Sequence, residues 1–177
     1  MMITLMGDTL LAIEHLPIPS IAAINGYALG GGSELALACD LRIADDQTRM
    51  GFVQAKMSLI PGWGGGQRLL RLVGYTQAMD LLLTARVLQA PELLAMGLVN
   101  RVVATGSALE HALDYLQPIT QLARPVLHSI KTLLQAGLNQ PYATALQTER
   151  DLFPPLWAAE THVQAVDAFL KRDRKTS

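Results

Sequence analysis

The stretch Ile21-Ala22-Ala23-Ile24-Asn25-Gly26-Tyr27-Ala28-Leu29-Gly30-Gly31-Gly32-Ser33-Glu34-Leu35-Ala36 constrains the fold more than any other part of the chain. An apolar, β-rich run from Ser20 to Ile24 and an Asn-Gly turn lead to a glycine triplet, which opens an apolar helical segment reaching Cys39. A strand that ends in glycines and starts a helix leaves unpaired backbone N–H groups, and the positive end of the helix dipole, at the loop. Glycine also lets a ligand come close to the backbone. Such a site suits a phosphate or a developing oxyanion. Glu34 falls in the first helical turn, beside it. The alternative is a tight crossover in which Glu34 is only a helix-start carboxylate, and spacing alone does not separate the two.

The surrounding sequence repeats this alternation. A helix is expected over Asp8–Leu16 with Asp8 as N-cap, stopped by Pro17 and Pro19. Leu41–Ala44 and Met50–Val53 read as strands, and Pro61–Gly66 as a loop. Helices are expected over Gln67–Val73, Thr76–Thr84 and Pro91–Met96, and a last strand over Leu98–Val103. Strand, glycine loop and helix in turn predict βα units and a largely parallel sheet. From Ser107 onward the pattern is helical. Leu109/Leu113/Leu116, Val126/Ile130/Leu133/Leu134 and Ala159/Val163/Val166/Leu170 recur at helical spacing, with Pro125 suited to a first turn. The organisation expected is an α/β core over residues 1–105 and a helical region over 106–177, with Lys171–Ser177 a frayed, solvated end.

Charge and composition remove several function classes. Fourteen Lys+Arg against fifteen Asp+Glu give a net charge of −1, without the basic excess of a nucleic-acid binder. Half of the residues are apolar, yet no run approaches the roughly 18 residues of a membrane span. The apolar surplus predicts a well-buried core or a large subunit interface. Asp8 and Glu14 interrupt the apolar opening, which is not expected to be a signal peptide. A single cysteine, Cys39, excludes a disulfide framework and fits a reducing cytoplasm; it is expected in the core. His15, His111, His128 and His162 are scattered, so no metal site is expected, and Met50, Met57, Met79 and Met96 read as gap-fillers. Leu35 stands where a dinucleotide motif or a nucleophile elbow needs glycine.

The Ile21–Ala36 block, followed by Cys39-Asp40, resembles the signature of the crotonase (enoyl-CoA hydratase/isomerase) superfamily. Leu59-Ile60-Pro61-Gly62-Trp63-Gly64-Gly65 with Gln67-Arg68-Leu69 is similar to that family's second glycine-rich segment. Ala95–Val103 and Ala168-Phe169-Leu170 match its later stretches in order. The resemblance implies an α/β fold, a crotonase-like spiral of ββα turns incomplete at the N-terminus, with a C-terminal helical region that assembles trimers or hexamers. It implies an enzyme that holds an acyl-CoA thioester and stabilises its enolate in an oxyanion hole, with coenzyme A entering only as part of the substrate. Gly31 matches one of the two backbone donors, and the other falls in turns that precede this segment in the family. Ala28, Leu29, Gly30, Pro61, Gly62 and Trp63 match substrate-binding positions.

Hydratases of the family work with two glutamates. Glu34 matches the first, and counting back from Ile60-Pro61-Gly62 puts Gln54 at the second. An amide exchanges no proton near neutral pH, so the two-carboxylate mechanism loses a partner, although Gln54 can hydrogen-bond a substrate carboxylate or water. The run Gly51–Gly65, with Thr148–Leu152 and Trp157, looks similar to crotonase-fold decarboxylases of the ethylmalonyl-CoA type. The favoured expectation is decarboxylation of a short malonyl-type CoA, with Glu34 and Gly31 facing one pocket. Hydration or double-bond isomerisation through Glu34 is the alternative, and a catalytically silent crotonase-like subunit is the reading of another class.

Overall fold

A computed structural model describes residues 2–176, with side chains described through Lys171. Helix α1 (Met2–Glu14) starts well before the expected Asp8. Asp8 lies exposed in mid-helix and caps nothing. The good helix formers Met2, Leu5, Met6 and Leu10 carry the helix upstream, and it ends ahead of Pro17, as the sequence predicts. Strand β1 (Ile21–Ile24), the turn at Gly26 and strand β2 (Tyr27–Leu29) follow, then α2 (Gly31–Ala38). Strand β3 (Leu41–Asp45) matches its expectation. Strand β4 (Arg49–Gly51) begins one residue earlier than expected and ends at Gly51, because the chain turns into a 3₁₀ segment over Val53–Met57.

Helix α3 (Gly65–Thr84) holds both predicted helices, broken at Gly74, whose φ of 76° and ψ of 170° are not helical. The short strand β5 (Leu88–Gln89), unforeseen from sequence, precedes α4 (Ala90–Ala95), β6 (Arg101–Val103) and α5 (Ala108–Thr120). Strands β1, β3 and β6 form one parallel sheet in that order, with Ile21 opposite Leu41 and Ile43 opposite Arg101. The other sheet pairs β2 with β4 in parallel and β4 with β5 antiparallel.

The residues divide into two compact units at Ile119/Thr120. In the first, Met50, Leu69, Leu81, Leu88, Leu93 and Leu98 are fully buried in one apolar cluster. Ala108 and Ala112 of α5 pack with Ile43 in another. Buried Arg42 donates through Nε to the Leu98 carbonyl (2.7 Å) and through Nη1 to the Cys39 carbonyl (2.7 Å), tying the end of α2 to the segment before β6. In the second unit α6 (Arg124–Asn139) packs on α7 (Tyr142–Trp157), and α8 (Glu160–Thr176) follows. Pro125 sits in the first turn of α6 as predicted. Leu134, Leu138, Phe153, Trp157 and Phe169 are exposed. Within Lys171–Ser177 the helix backbone continues to Thr176, while Ser177 and the side chains after Lys171 lie outside the described residues. Among the described residues no helix is long and apolar enough to cross a membrane.

Candidate active site

The first turn of α2 is built by glycine and serine. Gly30 N–H donates to the Gly51 carbonyl (2.8 Å), and Glu34 N–H closes the first helical bond on the Gly30 carbonyl (3.1 Å). The fully buried Ser33 hydroxyl lies 2.6 Å from the Ala28 carbonyl and accepts the Gly51 N–H at 3.2 Å. This hydroxyl locks the helix start between β2 and β4. Sequence reading set Ser33 aside as a failed nucleophile, and a hydroxyl on the inner side of an apolar helix was the only signal of its structural role.

Glu34 is 2% exposed, and its carboxylate accepts four N–H donors. Oε1 takes Gln54 Nε2 (3.1 Å) and Gly62 N–H (3.3 Å). Oε2 takes Trp63 N–H (2.8 Å) and Gly65 N–H (2.9 Å). The N-cap residue of α3, Gly64, has no side chain to offer, so Glu34 of another helix accepts the orphan Gly65 N–H at this terminus and two N–H groups of the loop before it. A buried carboxylate needs such donors, because desolvation without them is expensive. Gln54, in the 3₁₀ segment, is 8% exposed. Its Nε2 donates to Glu34 Oε1, the amide nitrogen being the donor end of the side chain. Its Oε1 is buried with no hydrogen-bond partner.

Two glycines permit close approach here. A methyl group at Gly31 would fall on the Trp63 indole, and one at Gly65 on the Glu34 side chain. The Trp63 carbonyl accepts Arg68 Nη1 (2.9 Å), and Arg68 forms an ion pair with Glu14 of α1 (2.7 Å). The sequence marks Arg68 only as a member of the second glycine-rich segment and Glu14 only as a charge within the apolar opening. Their partnership spans more than fifty positions and leaves no local trace.

Of the residues expected at the site, the structure gathers Gln54, Gly62 and Trp63 around the Glu34 carboxylate and sets Gly31 against the Trp63 indole. Gly30 borders them, with its Cβ direction 4.0 Å from Gln54 Nε2. Pro61 lies against Gly66. Ala28 is buried behind the turn, and Leu29 is exposed. His111 instead lines a separate cavity of about 400 Å³ with Arg101, Asp114 and Tyr115. No group of His, Cys, Asp and Glu able to hold a metal occurs among the described residues. Cys39 is half-buried rather than in the core, because it caps the end of α2 instead of lying within it. Met57 is exposed and fills no gap, since it ends the 3₁₀ segment at the surface.

The profile described as Enoyl-CoA hydratase/isomerase matches residues 4–176. A protein of Rhizobium meliloti named "Probable enoyl-CoA hydratase" is 42% identical over 154 residues, which cover 87% of this chain and 60% of that protein. The ethylmalonyl-CoA decarboxylase of Xenopus laevis is 36% identical over 168 residues, covering 94% of this chain and 56% of that one. A crystal structure of enoyl-CoA hydratase from Bacillus anthracis superposes with a TM-score of 0.92 at 35% identity, over 96% of this chain and 66% of that one. The chain thus spans somewhat over half the length of the curated relatives it matches.

Proposed function

Because the chain belongs to the enoyl-CoA hydratase/isomerase family, with a crotonase fold, we propose that it binds an acyl-CoA thioester with the carbonyl oxygen at the Gly31 N–H, and that its favoured reaction is decarboxylation of a short malonyl-type thioester. The observation that carries this reading is the pairing of Glu34 with the Gln54 amide at 3.1 Å. Hydration by two carboxylates needs both to exchange protons, one as base and one as acid, and an amide exchanges none near neutral pH. Decarboxylation forms the enolate without a base. The bond between the α-carbon and the carboxylate breaks, carbon dioxide leaves, and the electron pair delocalises onto the thioester oxygen. The N–H at the start of α2 stabilises that oxygen, and the α-carbon then takes a proton from water, leaving a hydroxide that carbon dioxide takes up as bicarbonate.

Glu34 serves this scheme by holding Gly62, Trp63 and Gly65 in place opposite α2. Coenzyme A is the only non-protein group the proposal requires, and it arrives with the substrate. The proposal also includes a homotrimer or hexamer working in the cytoplasm. Hydration or isomerisation through Glu34 remains the second reading, favoured by the buried carboxylate itself.

The test offers methylmalonyl-CoA, ethylmalonyl-CoA and crotonyl-CoA in parallel. Carbon dioxide release is expected from a malonyl-type substrate. Hydration should fall below that of a two-glutamate hydratase by the roughly 10²–10⁴-fold that general acid–base catalysis contributes. Fast hydration without decarboxylation overturns the reading.

A further inference from the structure

Trp63 is held from three directions. Its N–H is bound by Glu34 Oε2 at 2.8 Å, and its carbonyl by Arg68 Nη1 at 2.9 Å. Arg68 is itself anchored by Glu14 of α1. Its indole lies directly on Gly31, in the space a Cβ there would occupy. The backbone is therefore pinned on both sides of the residue, and the ring is left to rotate only about its own side-chain bonds. The face of Gly31 that the ring covers is one bond away from the N–H that receives the thioester oxygen in the proposal above.

We propose that Trp63 is the specificity-determining residue of this site: its indole, seated on Gly31, walls the space beside the thioester carbonyl and restricts the acyl group to short chains. The proposal rests on the thioester reading. The ring is rigid and its main chain is held by charge-assisted hydrogen bonds, so a longer acyl chain gains room only by turning the indole off Gly31 and losing that contact. A short acyl group meets a flat apolar face without moving it. One methylene in an apolar pocket discriminates by about 10–200-fold, and an octanoyl chain presents several to the wall.

The test measures binding of acetyl-, butyryl- and octanoyl-CoA to the chain and to Trp63→Ala by calorimetry. The expected result is that the parent chain prefers butyryl- over octanoyl-CoA, and that Trp63→Ala shifts this ratio toward octanoyl-CoA by at least about tenfold. Trp63→Phe, which keeps a smaller ring, should shift it less, and stands in if the alanine variant does not fold. The seat of the ring has its own readout. In a Trp157→Phe background, Gly31→Ala should displace the indole and red-shift its fluorescence. Folded Trp63 variants with the parent's chain-length profile overturn the proposal while leaving the thioester reading intact. Absence of binding at every chain length by parent and variants alike overturns both.

Discussion

The side-chain amide of Gln54 donates to the Glu34 carboxylate across 3.1 Å, and all four hydrogen-bond partners of that carboxylate are neutral N–H donors. The side chain thereby ties three elements together: its own helix α2, the 3₁₀ segment and the start of α3. Its neighbours decide what it can do.

Replacing the amide tests this directly. Gln54→Glu would set a second carboxylate within hydrogen-bond distance of Glu34, and two such groups share a proton rather than both ionise. A proton taken up on folding stabilises the variant at low pH and is lost as pH rises. The melting temperature of Gln54→Glu should therefore fall further below the parent's between about pH 5 and 8, where the ordinary carboxylate is ionised. Crotonyl-CoA hydration should increase in the same variant. Thermal melts across pH and a hydration assay check both, and a pH-independent gap would contradict the pairing.

Removing the acid should be costly for a different reason. Glu34→Ala leaves the N–H groups of Gly62, Trp63 and Gly65 without their acceptor. A buried donor left unsatisfied costs about 1–3 kcal/mol, and water reaching the vacated space offsets part of the sum. A loss on the order of 3 kcal/mol in urea unfolding is expected. Glu34→Gln, which keeps one acceptor oxygen, should lose less. Equal stability of Glu34→Ala and the parent would mean that the carboxylate does not organise the loop.

Acid sensitivity should trace in part to Asp45, away from the site. Burial pushes its carboxyl up, but hydrogen bonds from Gly106 N–H (3.1 Å), the Thr48 hydroxyl (2.9 Å) and Gly26 N–H (3.4 Å) outweigh burial and hold it below the usual aspartate value of 3.8. A carboxyl lowered in the folded state stabilises the fold above its unfolded pKa and loses that contribution as pH falls through the folded one. Asp45→Asn should lower stability at neutral pH and flatten its decline below about pH 4. Unfolding curves at pH 7 and pH 3 make the comparison.

The exposed apolar side chains of the second unit bear on assembly. Leu134 and Leu138 of α6, Phe153 and Trp157 of α7 and Phe169 of α8 all face solvent, and the proposed assembly would cover apolar side chains of this kind. Sedimentation at micromolar concentration should give a trimer or hexamer, and Leu134→Glu with Leu138→Glu should shift it toward monomer. A parent chain that sediments as a monomer refutes the proposed assembly.

Much of this was legible in the sequence, because glycine and proline act locally. The triplet Gly30-Gly31-Gly32 announced the start of α2, and Gly74 separated two helices that run on in space. The crotonase resemblance, counted back from Pro61, implied Gln54 at the second glutamate position, and the structure sets that residue against Glu34. Asp8 misled because a capping residue type is no cap when good helix formers precede it. Strand β5 was missed because two residues carry no periodicity. The donors to Glu34 come from 20 to 31 positions away, and the seat of Trp63 on Gly31 depends on how two loops meet in space. Motif resemblance could list these residues, but only folding shows which atom of each is already engaged.

Gly74 also carries a consequence for descent. Nothing lies within 4 Å of where its side chain would begin, so a survey of available space would judge the position free to vary. Its torsions, φ 76° and ψ 170°, belong to a region essentially closed to every other residue. Gly7, equally unobstructed but in the helical body of α1 without a positive φ, can become alanine with a gain in helix propensity of about 1 kcal/mol. Across lineages that keep this fold, position 7 should drift while position 74 stays glycine, a difference written in backbone angle alone.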